Sequence, residues 1–231
     1  MMERIIFIET STALCSVALG EDGKIVDARE SAQSRSQASM TVPLINEMLA
    51  SRGIGAKDCS AVCVSKGPGS YTGLRVGSST AKGLCFGAGI PLIAVSTPEV
   101  LVQGAISEGL VPEGCRAVIP MIDARRMEVY NAVFSPDGKQ AGEIEATVVE
   151  TGSFAALLEQ GPVLFIGDGA DKCRDVLNHP NALFHQCCPR AEWMLRPAFG
   201  ALKEKRFENT AYFEPFYLKQ FVATVSGKKL F

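Results

Sequence analysis

The sequence lacks the features that mark several common classes of protein. No stretch approaches the roughly 20 apolar residues that a membrane span needs, and the apolar run at residues 5–8 is too short for the hydrophobic region of a secretory signal. Lys and Arg number 23 against 25 Asp and Glu, so no overall positive charge attracts nucleic acid. We therefore predict a cytoplasmic protein without a membrane segment.

Signatures of catalysis and of metal binding are scarce as well. The only histidines are His179 and His185, and no G-x-S-x-G motif supplies a nucleophilic serine. The eight cysteines form no C-x-x-C pair, and the cluster of His185, Cys187 and Cys188 lacks the usual spacing of zinc ligands. These absences argue against a protease and predict no metal site, with thiols that are buried or idle.

What remains is a globular α/β pattern that is repeated once. The hydrophobic fraction is 47% over 231 residues. Strands are predicted at 4–10, 15–20, 24–31, 61–65 and 92–95, and helices at 37–52, 72–86 and from 96 onward.

A second unit begins near Cys115 and repeats the opening theme. The segment 119-IPMIDARRMEVYNAVFSPDGK-139 parallels 5-IIFIETSTALCSVALGEDGK-24, each with a strand, a carboxylate at its end, a second strand and a D-G-K turn. It continues with a predicted strand at 144–149, a helix at 153–160 and a strand at 163–166. We predict lobes at 1–105 and 106–205, with about 206–221 packing on the first lobe and a flexible tail at 222–231.

The glycine-rich loop 65-SKGPGSYTGLRVG-77 is the most distinctive local feature. It matches neither a Walker A motif nor the Rossmann fingerprint. Such a loop before a helix can cradle a phosphate, or it can be a tight connection without a ligand. Both interpretations stay open for the candidate residues of a phosphate or nucleotide loop, which are Gly67, Gly69, Ser70, Thr72 and Gly73.

Carboxylates at strand ends are the other candidates for chemistry. Glu9, Asp123 and Asp168 each follow an apolar strand, and hard oxygen ligands of this kind suit Mg²⁺ beside a nucleotide. Glu9 and Asp123 are the expected pair of cleft carboxylates. Carboxylates in these positions also form turns, which is the interpretation preferred for Asp168.

Three blocks of sequence resemble the TsaB (YeaZ) family of tRNA threonylcarbamoyladenosine biosynthesis proteins: 8-IETSTALCSVALG-20, 67-GPGSYTGLRVGSSTAKGLCFGAGIPLIAVST-97 and 122-IDARRMEVYNAVF-134. The segments 167-GDGA-170 and 217-YLK-219 also fit, so the resemblance touches nearly the full length. It implies an actin, Hsp70 and sugar kinase fold of the ribonuclease H-like type, with two related lobes, each a mixed sheet flanked by helices. Glu9 departs from the family's usual aspartate, and Gln37 stands where many relatives have histidine.

The resemblance also implies a catalytic paralogue, the TsaD transferase, whose His-x-x-x-His metal pair corresponds to Thr97 and Leu101 here. Neither residue can supply an imidazole, so a non-catalytic partner is expected, with no cofactor of its own. ATP or ADP with Mg²⁺ is expected only in the assembled complex. The alternative is an ATP-dependent phosphotransferase or ATPase of the sugar kinase type, and nucleotide binding by the isolated chain would separate the two.

Partner contacts follow from the same resemblance. The helices at 37–52 and 72–86 are expected to pack against TsaD, and the TsaE ATPase to join the pair. A homodimer is expected when the chain is alone. Contact with tRNA is expected to be indirect, because no aromatic and basic residues alternate and the one local excess of basic residues lies from Lys203 onward. The predicted contact residues are Met40, Leu44, Gly77, Thr80, Ala81 and Leu84.

Overall fold

Two five-stranded sheets form the framework of the computed structural model, which describes residues 2–32 and 37–219. The first sheet comprises β1 (Arg4–Glu9), β2 (Cys15–Glu21), β3 (Lys24–Ser31), β4 (Ala61–Ser65) and β5 (Leu92–Val95). The second comprises β6 (Ala117–Asp123), β7 (Glu128–Asn131), β8 (Glu145–Val148), β9 (Val163–Ile166) and β10 (Ala182–His185).

The two sheets have the same topology. The strand order is β3-β2-β1-β4-β5 in one and, read from the opposite edge, β8-β7-β6-β9-β10 in the other. In each sheet the first three strands pair antiparallel and the last two join in parallel. The internal repeat read from the sequence is therefore a structural duplication.

In the described part of the chain, five α-helices cover the sheets, and local signals in the sequence set the ends of α2 and α3. α2 begins after Ser70, whose side chain accepts a hydrogen bond from the amide of Gly73 at 3.3 Å, and ends at Gly89 in the left-handed conformation with φ +69°. α3 begins after Ser96, which caps the amide of Glu99 in the same way. The helices are α1 (Gln37–Ser51), α2 (Tyr71–Ala88), α3 (Thr97–Ser107), α4 (Ala155–Leu158) and α5 (Leu195–Lys203).

The buried apolar side chains form three clusters that follow this layering. The first cluster lies between the first sheet and the helices α1 and α2. The second lies on the outer face of the second sheet, beneath α4. Between the sheets, α3 and the segment from Ala191 to Lys203 share a cluster with strands of both. The two repeats therefore share one central core.

Two elements of the fold were not predicted. β10 completes the second sheet, and α5 follows a short 3-10 turn at Ala191–Met194 that contacts β1 and β2. Residues 191–203, which the sequence assigned to the second lobe, thus pack against the first sheet. Helix α4 is also shorter than the predicted 153–160.

The C-terminal segment continues along the first repeat. The amide of Glu208 donates to the carbonyl of Leu92 at 2.8 Å, and the amide of Phe216 donates to the carbonyl of Lys66 at 2.7 Å. The predicted tail at 222–231 lies outside the described residues. Within the described part of the chain, none of the helices has the length and apolarity to cross a membrane.

Candidate functional site

The glycine-rich loop packs directly against the turn that follows β1. The amide of Ser70 donates to the carbonyl of Ser11 at 2.6 Å, and the hydroxyl of Thr10 donates to the carbonyl of Gly73 at 2.8 Å. A Cβ added at Gly69 would lie 2.3 Å from the Ser11 oxygen, and one at Gly73 would lie 1.9 Å from the Thr10 oxygen. The chain's own backbone therefore requires glycine at both positions, whether or not a ligand binds.

The two ends of the loop have different surroundings. At Gly67, where φ is +106°, an added Cβ would lie 2.7 Å from the carbonyl oxygen of Phe216. Ser70 is the N-cap of α2, and Thr72 is an exposed residue of its first turn. The five predicted loop residues thus lie together, between the β1 turn and the C-terminal segment, and the helix starts one residue before the predicted Thr72.

Glu9 is completely buried at the end of β1. Its Oε1 accepts a hydrogen bond from the amide of Ser11 at 2.6 Å, whereas Oε2 has no partner among the described residues and is closed off from solvent. Burial raises the pKa of Glu9, and the carboxylate of Asp168 contributes to the rise. A buried carboxyl group that favours its neutral form does not fit an accessible ligand of Mg²⁺.

Asp123 lies exposed at the start of the hairpin that joins β6 and β7. Its Oδ1 forms an ion pair with Nζ of Lys172, and it also accepts the amide of Arg125 at 2.9 Å. Lys172 donates in addition to the carbonyl of Glu128 at 2.7 Å. The Lys172 amine is thus already paired with Oδ1 of Asp123, and a metal ion that bound this oxygen would have to displace it.

Asp168 connects the loop after β9 to the same hairpin. Its Oδ1 accepts the backbone amide of Asp123 at 2.9 Å. The pKa of Asp168 is raised to about 6, mainly by burial and also by the Asp123 carboxylate, while the backbone amide of Asp123 opposes the rise. The sequence missed Lys172, which has no motif around it, whereas the hydrogen bond of Asp168 to the hairpin is compatible with its interpretation as a turn former.

The predicted partner-contact residues fall on both sides of the helix layer, which requires a correction. Leu44 is 7% exposed, Ala81 is completely buried and Gly77 is buried against Thr10, so these three belong to the chain's own core. The predicted contacts at Met40, Thr80 and Leu84 are half-buried. The sequence predicted that small residues on α2 contact a partner, but Gly77 is small because the turn after β1 packs against it.

The exposed face of the same two helices uses other residues. Phe86 is 89% exposed and Val42 is 48% exposed. Gly83 and Gly87 have no atom within 4 Å of the position that a Cβ would take, apart from their own helical neighbourhood. With Ser79, these glycines form an open stripe at four-residue spacing on α2.

Comparison with known proteins assigns the family. The chain is 33% identical over 227 residues to the tRNA threonylcarbamoyladenosine biosynthesis protein TsaB of Escherichia coli, covering 95% of this chain and 96% of that protein. The chain belongs to the TsaB (YeaZ) family. A family model described as "TsaD: tRNA N6-adenosine threonylcarbamoyltransferase" matches residues 30–188. A transferase of that name from Nitratidesulfovibrio vulgaris is 36% identical over 104 residues, covering 38% of this chain and 29% of that enzyme.

Solved structures agree with this assignment. YeaZ from Pseudomonas aeruginosa superposes with a TM-score of 0.81 at 26% identity, covering 94% of this chain and 100% of that chain. The activator of the 2-hydroxyisocaproyl-CoA dehydratase from Clostridium difficile, solved with bound ADPNP, gives a TM-score of 0.50 at 11% identity over 90% of this chain and 99% of that chain. The TsaB family thus shares the actin, Hsp70 and sugar kinase fold, as predicted.

The positions expected to correspond to the transferase's metal pair lie inside the matched region. Thr97 and Leu101 are both completely buried in α3, and the Thr97 hydroxyl lies 3.2 Å from that of Ser65. His179 and His185 lie in the second repeat, where the ring of His179 accepts the amide of Asn181 at 3.1 Å. Across residues 2–32 and 37–219, no group of three or more His, Cys, Asp or Glu side chains could hold a metal ion.

The cysteine cluster is equally unsuited to zinc. Cys187 and Cys188 are half-buried, and burial raises the pKa of Cys187 to about 12. A thiol that stays protonated is a poor metal ligand, because zinc binds the thiolate.

Proposed function

We propose that this chain is a non-catalytic subunit that pairs with the TsaD threonylcarbamoyltransferase in forming threonylcarbamoyladenosine next to the anticodon of tRNA. Membership of the TsaB family supports a role in the biosynthesis of threonylcarbamoyladenosine in tRNA. The observation that carries the pairing is the exposed outer face of α1 and α2, with its open glycine stripe beside Phe86.

This face has the properties of a helix-packing surface. Each glycine inside a helix costs about 1 kcal/mol relative to alanine, and Gly83 and Gly87 gain nothing from internal packing because no atom approaches them. Small side chains permit two helices to approach closely, and burial of a phenylalanine side chain contributes about 1.5–3 kcal/mol. A partner helix over Gly83, with Phe86 at its edge, would account for all of these features.

The cleft supports the non-catalytic part of the proposal. The turn at Thr10 and Ser11 packs on the glycine-rich loop, and Lys172 neutralises Asp123. Thr97 and Leu101 face the core rather than a metal. Binding of ATP or ADP with Mg²⁺ is therefore proposed only for the assembled complex, in which the TsaE ATPase joins the pair.

Self-association is proposed through the same face. An isolated chain with an exposed Phe86 can cover it with a second copy, which gives a two-fold symmetric dimer. The location follows from the pathway, since the tRNA substrate is cytoplasmic. The competing phosphotransferase function predicts ATP turnover by the isolated chain, whereas this proposal predicts none.

The test is a charged side chain on the open stripe. Gly83→Arg should abolish co-purification with the transferase and reduce threonylcarbamoyladenosine in total tRNA of a strain that depends on the variant, because the helices would be separated and a charge desolvated. Gly200→Arg is the matched control, since Gly200 lies in α5 and also has no atom within 4 Å of an added Cβ. Normal co-purification of Gly83→Arg, with the fold intact by circular dichroism, would overturn the assigned face.

A further inference from the structure

The C-terminal segment links the two repeats at the cleft. Phe213 is buried with the core beneath α1 and α2, and the ring of Tyr217 lies 4.8 Å from that of Tyr71 at the start of α2. Two residues later, Nζ of Lys219 forms an ion pair with Glu128 on β7. The segment thus connects the beginning of α2 with the β6–β7 hairpin, although these elements are far apart in sequence.

Arginines lie on both elements that the C-terminal segment connects, namely α2 and the β6–β7 hairpin. The guanidinium of Arg75 lies 4.3 Å from the centre of the Tyr71 ring, which holds it in place by a cation–π contact. Arg125 and Arg126 are both exposed in the β6–β7 hairpin. We call Arg75, Arg125 and Arg126 the arginine surface.

Two acidic groups of the hairpin are paired with lysines, whereas Asp168 accepts the backbone amide of Asp123. Lys172 pairs with Asp123, and Lys219 pairs with Glu128. Within residues 2–32 and 37–219, the side chains of Arg125 and Arg126 form no hydrogen bond or ion pair. Neither guanidinium group is therefore paired within these residues, although the whole chain carries a formal charge of -2.

The backbone of the hairpin adds a second, independent observation. Arg125 has φ +73° and Arg126 has φ +52°, so two consecutive non-glycine residues occupy the left-handed region. That conformation costs about 1–2 kcal/mol per residue, and Asn or Gly adopts it more easily. The hairpin turn imposes this conformation and uses only the backbone of Arg125, so the fold does not require an arginine side chain at either position, and both guanidinium groups are available to a ligand.

We propose that the arginine surface binds the phosphodiester backbone of RNA. The inference rests on the proposed function, which makes tRNA the substrate of the assembly. Guanidinium groups bind phosphate oxygens in a bidentate manner, and a row of such contacts recognises a strand without reading its sequence. The sequence located any RNA contact from Lys203 onward, whereas here the fold brings α2 and a hairpin of the second repeat to the same segment.

The test exploits the strained backbone. In Arg125→Asn/Arg126→Gly, both charges disappear and the turn receives residues that suit positive φ. The variant should melt at or above the temperature of the parent chain, and its complex with the transferase should bind an unmodified tRNA transcript about tenfold more weakly at 0.1 M salt. The slope of log K against log salt should become shallower by about 1.5.

The matched control removes two cations from the opposite end of the first sheet. Lys24 and Lys57 are exposed beside the N-terminal ends of β3 and β4, away from the glycine-rich loop. Lys24→Asn/Lys57→Asn should leave the salt slope unchanged. An equal loss in this control would show that net charge alone matters, and an unchanged slope in the arginine variant would also overturn the proposal.

Two further readouts separate this proposal from the proposed function. Co-purification with the transferase is measured on the same variants and should be normal. If the parent chain does not pair with the transferase at all, the proposed function fails, and the tRNA titration is repeated on the isolated full chain. Weaker binding of ATP by the arginine variant, with an unchanged tRNA slope, would assign the surface to a free nucleotide and overturn the RNA proposal.

Discussion

Alanine in place of either of two glycines of α2 should change the stability of the chain in opposite directions. At Gly77, an added Cβ would lie 2.4 Å from the hydroxyl oxygen of Thr10 and 3.4 Å from Cγ2 of Val64. At Gly83, it would have no neighbour within 4 Å. Gly77→Ala should therefore destabilise the chain, and Gly83→Ala should stabilise it.

The magnitudes follow from the contacts. Alanine gains about 1 kcal/mol over glycine inside a helix, and at Gly83 no atom of the same chain opposes that gain in the monomer. At Gly77 the methyl group must displace the buried hydroxyl of Thr10, which donates to the carbonyl of Gly73 at 2.8 Å. Overpacking costs about 1–3 kcal/mol and the lost hydrogen bond about 1 kcal/mol. The net loss at Gly77 should be about 1–3 kcal/mol in the free energy of unfolding.

Urea unfolding followed by circular dichroism measures both effects. Thr10→Ala provides an internal check, because removal of the hydroxyl leaves the Thr10 Cβ at 3.7 Å from the new methyl group, an ordinary contact. In that background Gly77→Ala should be neutral or stabilising, which corresponds to a coupling of about 2 kcal/mol. A penalty at Gly77 that is the same with and without the Thr10 hydroxyl would refute the proposed contact.

The remaining predictions concern the carboxylates of the cleft. The pKa of Asp168, raised to about 6 by burial, exceeds the ordinary aspartate value, so ionisation opposes folding and the free energy of unfolding should fall as the pH rises from about 4 to about 6. Asp168→Asn should flatten that fall, measured by urea unfolding at a series of pH values, and an unchanged slope would contradict the assignment. Asp123→Asn breaks only a partly exposed ion pair with Lys172, so it should cost about 1 kcal/mol or less and leave tRNA modification near normal, in contrast to Gly83→Arg.

Local pattern was sufficient for the elements that carry their own signals. Strands β4, β5 and β9 have the predicted bounds, because each is a short apolar run between turn residues. The cap at Ser96 marks the start of α3, whereas α2 starts one residue before the predicted residue 72, after the cap at Ser70. The repeat could have predicted β10 as well, since β5 holds the corresponding place in the first sheet, but 182-ALFH-185 is too short to stand out alone.

Contacts between residues far apart in the chain determine which glycines are buried and which charged groups pair, and local sequence pattern does not predict these contacts. Gly77 and Gly83 look alike in the sequence, and only the position of Thr10 separates a core glycine from a surface one. Lys172 belongs to no motif, yet its ion pair changes the chemistry available to Asp123. Helix α5 has an amphipathic pattern, but its partner is the first sheet, far away in the chain.

The groups that the sequence nominated for ligand binding contact other parts of the chain, and the two proposed surfaces consist of exposed residues elsewhere. The carbonyls of Thr10 and Ser11 lie against the glycine-rich loop, and Lys172 and Lys219 neutralise Asp123 and Glu128. Exposed groups without an internal role remain on the stripe beside Phe86 and in the hairpin of Arg125 and Arg126. The stripe lies on α2, which also carries Arg75 of the arginine surface, whereas Arg125 and Arg126 belong to the second repeat, so Gly83→Arg and the Arg125/Arg126 variant alter different elements of the chain. Loss of pairing should therefore follow Gly83→Arg alone, and loss of the salt-dependent tRNA affinity should follow the arginine variant alone.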